Sequence, residues 1–398
     1  MRRLPLSAVV VCLLCSPLLA QGTFSLKYKE VAGDEAPAVK QASRAFRGQP
    51  TKPDEITGLP ADLPGDVRYF SSTFGGRKVW VIACAGSPPR IYLDTDRDND
   101  FSDEKAVAGT VRGGGVSFGV VPAPLPASGT LPVAVMSHSG GNGKAPGCLH
   151  AEATGCRTGE VRLGGRTYRV ALVDCNFNGR YDDVLSGPFP RSDMDALIID
   201  LNGDGRFADL GEAGNVQEWM PLSKARQVDG MYYRIQVSAD GTQIQLEKTE
   251  PQFGNLDFGR TPIRFDAYSD FGYLTVEATD GKARVPAGLY APCGLILTYT
   301  DDAGTRWTFQ RSNDDERLGT FTVPADQTLS IPLGPPLVAK AEVVQEGANV
   351  LISFVLVGKS GERYVPAVKK TGTQVQPPSL EVVDRSGKVL LSAQFEYG

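Results

Sequence analysis

The chain has 398 residues, enough for two or three domains with cores of their own. Lys and Arg number 41 against 46 Asp and Glu, a net charge of −5, and no basic run interrupts the acidic balance. That balance argues against nucleic acid and anionic membrane surfaces as partners.

The first residues, MRRLPLSAVVVCLLCSPLLAQG, carry two arginines, an apolar run short for a bilayer span and a small residue at Ala20. This is the layout of a secretory signal peptide over residues 1–20. The leucines before Cys15 lack the small residue of a lipoprotein processing site. No later stretch is apolar enough to span a membrane. The expectation is export, to the medium or to the periplasm and cell envelope, with no membrane insertion after signal cleavage. Residues 21–65 read as a partly ordered leader, with a helix over 36–46 and a proline-spaced tail (Pro50, Pro53, Pro60, Pro64).

Residues 66–250 read as a β-rich domain. Alternating runs meet at Gly75-Gly76, Gly164-Gly165 and Asp240-Gly241, each a hairpin signal. A second unit, a β-sandwich, is expected over 251–335, ending in the proline-rich joint IPLGPPL. Residues 336–398 read as a small Ig-like or fibronectin-like sandwich, short for that fold and expected to be truncated. The fold class is therefore all-β and multi-domain.

Beyond the signal, five cysteines remain: Cys84, Cys148, Cys156, Cys175 and Cys293. In an exported protein Cys148 and Cys156 are the expected disulfide, and the odd count leaves a thiol over.

One motif recurs. RIYLDTDRDNDFSDE, VALVDCNFNGRYDD and LIIDLNGDGRFAD align on Asp94, Asp174 and Asp200. Position 3 is Asp96, Asn176 and Asn202, and position 5 is Asp98, Asn178 and Asp204. Position 6 is Asn99, Gly179 and Gly205, the residue types that best tolerate a left-handed backbone. Position 7, which offers its carbonyl, is Asp100, Arg180 and Arg206. Position 8 is Phe101, Tyr181 and Phe207, expected to pin the loop exit to a core, and position 10 is Asp103, Asp183 and Asp209. Calcium takes about six to eight hard oxygens at roughly 2.3–2.6 Å, and side chains 1, 3 and 5 of a tight turn converge on one point.

These stretches resemble the DxDxDG calcium loops of EF-hand, dockerin and thrombospondin type 3 proteins. The resemblance implies calcium at all three loops and covers only those ten to thirteen residues each. Position 12, a glutamate in EF-hands, is Lys105, Leu185 and Gly211 here, so position 10 or the nearby Glu104 and Glu212 must replace it. Strand-like runs rather than helices precede the loops, which places them at strand ends. The wider layout is similar to that of exported bacterial β-rich proteins, a likeness that implies no activity. The plain alternative is a set of Asx-turns between strands. Carboxylate count ranks the first and third loops above the second, at extracellular affinities of about 10⁻⁴–10⁻³ M.

Other chemistry is sparse. With only His138 and His150, HExxH and three-histidine zinc sites are excluded. SHSGGNGK (137–144) fails the phosphate-loop pattern, and Ser137 and Ser139 flank His138 on opposite faces of an extended chain. His150 reads as a surface residue. Asp182-Asp183 with Asp193 and Asp195 form a conceivable glycosidase pair. Trp80, Trp219 and Trp307 are too scattered for a sugar platform and read as core. The reading is an exported calcium-binding protein with a structural or interaction role, its partner another protein or a polysaccharide. A carbohydrate-active hydrolase or an accessory carbohydrate-binding module is the alternative.

Overall fold

The structure, a computed structural model, describes residues 21–31, 36–63, 65–74, 77–124, 130–138, 143–186, 194–207, 218–259, 262–310, 319–347, 349–365 and 368–396. Residues 1–20, expected as a signal peptide, lie outside them. The fold is all-β and multi-domain, with one short helix, Ala36–Lys40, among the described residues. No helix there is long and apolar enough to cross a membrane.

The N-terminal half is organised around one sheet, ordered Trp219–Pro221, Ala196–Ile199, Arg166–Val173, Gly155–Leu163 and Lys27–Glu30. Ala196–Ile199 and the Val170–Val173 end of its neighbour are apolar throughout because both faces are covered there. Ala171, Val173 and Ile198 face a core shared with Phe46, Phe70, Phe74 and Leu149. Val170, Leu172, Leu197 and Ile199 face a second core with Tyr233, Ile235, Ile244 and Leu246. Sheets on either side supply those partners, one around Cys148–Ala153 and one around Met231–Val237. Each fully buried Val, Leu or Ile contributes about 1.5–3 kcal/mol of transfer free energy. A further sheet, Val67–Phe74, Arg77–Cys84, Arg90–Leu93 and Val107–Ala108, carries the first acidic loop.

The strands of the three expected hairpins pair, with Phe74 opposite Arg77, Leu163 opposite Arg166 and Val237 opposite Ile244, while Gly75-Gly76 lies outside the described residues. Gly164 and Gly165 take φ of 56° and 87°, the left-handed pair that a two-residue hairpin turn needs. Trp80 and Trp219 are buried in core, as read.

Three features depart from the sequence reading. The segment 21–65, expected as a partly ordered leader, supplies Gln21–Ser25, Lys27–Glu30 and Ser43–Arg47 as edge strands of three different sheets. The helix expected over 36–46 stops at Lys40, because Ser43–Glu152 pairing draws the next residues into a strand. The expected disulfide is not formed: no S–S bond joins Cys148 and Cys156. Cys148 opens an extended strand, Cys148–Ala153, while Cys156 lies in another sheet opposite Lys29. An extended run of that length carries the chain roughly 16 Å, whereas a disulfide needs Cα atoms within about 7 Å.

The C-terminal half has its own core, which includes Phe265, Tyr290, Leu297, Phe309 and Tyr364. Lys369–Lys370 pairs with Arg306–Gln310, so chain beyond residue 336 completes the sheet of the preceding unit. Two further hairpins, Val338–Glu346 with Asn349–Val357 and Ser379–Val383 with Val389–Gln394, follow the joint.

Candidate metal centre

Each acidic loop leaves the end of a strand: Arg90–Leu93, Arg166–Val173 and Ala196–Ile199. The last two strands are antiparallel neighbours, with Val173 opposite Ala196 and Val170 opposite Ile199. Their loops therefore lie at opposite ends of the sheet.

All three loops share one backbone. The residue at position 6 is left-handed in each, with φ of 63° at Asn99, 79° at Gly179 and 80° at Gly205. Position 4 is left-handed too, with φ of 66° at Arg97, 56° at Phe177 and 76° at Gly203. Side-chain oxygens at positions 3 and 5 accept the backbone N–H two residues on. Asp98 N–H donates to Asp96 (3.3 Å) and Asp100 N–H to Asp98 (2.7 Å). The same pair recurs at Asn176 and Asn178 (3.0 and 2.6 Å) and at Asn202 and Asp204 (2.8 and 2.8 Å). The position 8 aromatics Phe101, Tyr181 and Phe207 are buried, each in a different core.

The loops differ at position 1. Asp174 accepts N–H groups from Asn178 (3.2 Å) and Gly179 (2.7 Å), and Asp200 accepts them from Gly203 (2.7 Å) and Gly205 (2.9 Å). Asp94 is 1 % exposed, yet neither of its carboxylate oxygens has a hydrogen-bond donor. One oxygen each from Asp94, Asp96 and Asp98 lies within 4.8 Å of the others, a cluster fit to hold a metal ion. Burial, then the charges of Asp96 and Asp98, push the Asp94 carboxyl up to about 6. The N–H groups of Arg97 and Asn99 act the other way without reaching hydrogen-bonding geometry.

In the second loop the amide nitrogens of Asn176 and Asn178 both donate to Asp183 (2.9 and 2.6 Å). The amides satisfy that carboxylate by hydrogen bonding, the place a cation would take elsewhere. Arg180 forms a surface ion pair with Asp182 (2.7 Å). Burial pushes the Asp174 carboxyl up to about 6. In the third loop Asn202 donates to Asp204 (3.1 Å), and Arg169 donates to the Gly205 carbonyl while its guanidinium lies 5.0 Å from the Phe207 ring. Asp209 and Glu212 lie outside the described residues.

A carboxylate from outside the DxDxD triplet holds the start of every loop, and of the three only Glu104 was visible from the spacing. Glu104 accepts the Thr95 N–H and hydroxyl, Asp195 accepts the Cys175 N–H (3.3 Å), and Glu218 accepts the Leu201 N–H (2.9 Å). Asp195 also takes the Asp183 N–H (2.9 Å), so one buried acid fastens both ends of the second loop. Burial, then the charge of Asp174, push its carboxyl well above the usual range. Both Asp195 oxygens are thus engaged with backbone of the second loop. Asp193 is outside the described residues. Asp195→Asn replaces one acceptor oxygen by an amide facing an N–H, and urea unfolding is expected to show a loss of about 1–3 kcal/mol. Unchanged stability would mean the clasp is slack.

The first loop is also held from the segment read as a leader. Thr57 N–H donates to the Asn99 carbonyl (2.9 Å), and Phe101 N–H to the Gly58 carbonyl (3.2 Å). Gly58 sits so close that a Cβ would fall 1.9 Å from an Asp100 carboxylate oxygen, so a larger residue there requires the Asp100 side chain to move. Asp100 itself accepts the Ser102 N–H (2.8 Å). Compared with family profiles, curated proteins and solved structures, the chain gives no match.

Proposed function

We propose that the protein is an exported calcium-binding β protein, with the ion held first by Asp94, Asp96 and Asp98. The observation that carries this reading is the buried Asp94 carboxylate, without a donor, facing two further carboxylates. A ligand set made wholly of hard oxygens suits calcium and not zinc or copper. The Asp100 carbonyl is the expected fourth protein ligand, and Asp103 and Glu104 lie close in sequence to complete the shell through water. The third loop is a weaker site, because backbone N–H groups already occupy Asp200. The second is a metal-free turn closed by its asparagine amides. Calcium then stabilises the N-terminal β region for a structural or interaction role outside the cell, towards another protein or a polysaccharide.

Calorimetric titration of chelator-stripped protein with calcium tests the reading; no heat of binding would sink it. The proton competes for the same oxygens. An acid whose folded pKa is raised adds stability at low pH, and that stability is lost as pH rises through the folded value. For Asp94 the window lies between its unfolded value of about 4 and its folded value of about 6. Calcium must displace that proton, so the apparent Kd is expected to rise up to about tenfold per pH unit below 6. A Kd that stays flat between pH 7 and 5 would remove Asp94 from the ligand set.

A further inference from the structure

The protein's two histidines, far from the acidic loops in sequence, meet each other and a free thiol. His138 and His150 have ring centroids 5.0 Å apart, at 62° between planes. Nε2 of His150 lies 3.5 Å from Sγ of Cys148, which has no disulfide partner. The strand register explains the meeting. Met136 pairs with His150 across antiparallel strands, so two residues further along each chain bring His138 opposite Cys148. Cys148 and His150 are two residues apart and share a face. It is the outer face, since the alternate residues Leu149, Ala151 and Ala153 point into the core. Cys148 and His150 are half-buried and His138 is exposed, so solvent and ions reach all three.

We propose that Cys148, His150 and His138 form a binding site for a borderline or soft metal ion, with zinc as the type case. A tetrahedral ion with a sulfur at about 2.3 Å and a nitrogen at about 2.0 Å holds these atoms roughly 3.5 Å apart. That is the separation of Cys148 Sγ and His150 Nε2 in the protein. Two imidazoles on one tetrahedral ion place their ring centroids about 5 Å apart, the spacing seen for His138 and His150. Only the three loop aspartates, among the described residues, already bring three such ligand atoms within 4.8 Å of one another. His138 completes this set by rotation of its exposed side chain. On binding, Cys148 loses its proton to solvent and the thiolate sulfur bonds the ion, leaving one position open to water. Thiolate and imidazole favour zinc, cobalt or copper over calcium, so this site and the acidic loops divide the metals by ligand softness.

Cobalt(II) is the probe, added under reducing conditions to full-length, chelator-stripped protein. The expected result is a sulfur-to-cobalt charge-transfer band in the near ultraviolet, displaced by an equivalent of zinc and unmoved by millimolar calcium. The band is lost in Cys148→Ser, falls at least tenfold in apparent affinity in His150→Ala and His138→Ala, and persists in Asp96→Asn. Zinc also slows alkylation of Cys148 in the unaltered chain, read peptide by peptide, which needs no variant to fold. Absence of the band, its survival in Cys148→Ser, or alkylation of Cys148 at the same rate with and without zinc would each overturn the proposal.

Discussion

At calcium concentrations about a hundredfold above the dissociation constant, the wild-type chain is expected to gain about 2.7 kcal/mol and melt roughly 5–10 °C higher. Asp98→Asn is expected to lose most of that gain. In calcium-free buffer the same substitution leaves stability equal or slightly raised, by a few tenths of a kcal/mol, because it removes one charge from a crowded set. The two melting curves therefore change order when calcium is added. The natural control for this substitution lies in the same chain. The second loop has asparagine at the matching position, and Asn178 keeps the turn by accepting the Arg180 N–H (2.6 Å), as Asp98 accepts that of Asp100 (2.7 Å). Asparagine at 98 preserves the backbone and takes away only the charge. A variant that loses stability without calcium would show that the charge, not an ion, organises the turn. A variant that keeps the full calcium gain would move the ion away from the first loop.

The strand framework was legible because its pattern is local. Alternation with Gly-Gly or Asp-Gly turns announced the hairpins, and three aspartates each followed by a fixed spacing announced the loops. What stayed hidden depends on contacts that spacing does not carry. Lys27–Glu30 is an edge strand with every side chain exposed, so no apolar alternation marks it. Cys148 and Cys156 looked like a loop closure because the sequence does not show the straight strand between them. Asp195 and Glu218 reach their loops from 20 and 17 residues away, so the repeat spacing points to neither. The left-handed residue at position 4 was visible only where it is glycine, at Gly203. At Arg97 and Phe177 the backbone imposes that conformation on residues that do not advertise it.

Phe177→Ala is expected to be among the most damaging single changes in the chain, costing about 3–5 kcal/mol in urea or thermal unfolding. The side chain is fully buried and its ring lies 5.7 Å from that of Phe74, which in turn lies 5.9 Å from Phe46. Those three rings join the second loop, a strand of the first-loop sheet and the strand Ser43–Arg47, so the cavity opens where three elements meet. A left-handed φ of 56° is unfavourable for phenylalanine, at a cost of order 1–2 kcal/mol, and alanine keeps most of that strain while losing the ring. Phe177→Gly relieves the strain and loses the same ring, so it is expected to be less destabilising than alanine, the reverse of the usual order. This follows from how the second loop is fastened. Where the first loop leaves three carboxylates open to an ion, the second replaces charge by amides and plugs its turn into the core through Phe177. Its loss of stability is therefore expected to be the same with and without calcium. If calcium rescued Phe177→Ala, the second loop would be a metal site after all, and its asparagine amides would have to turn their oxygens inward.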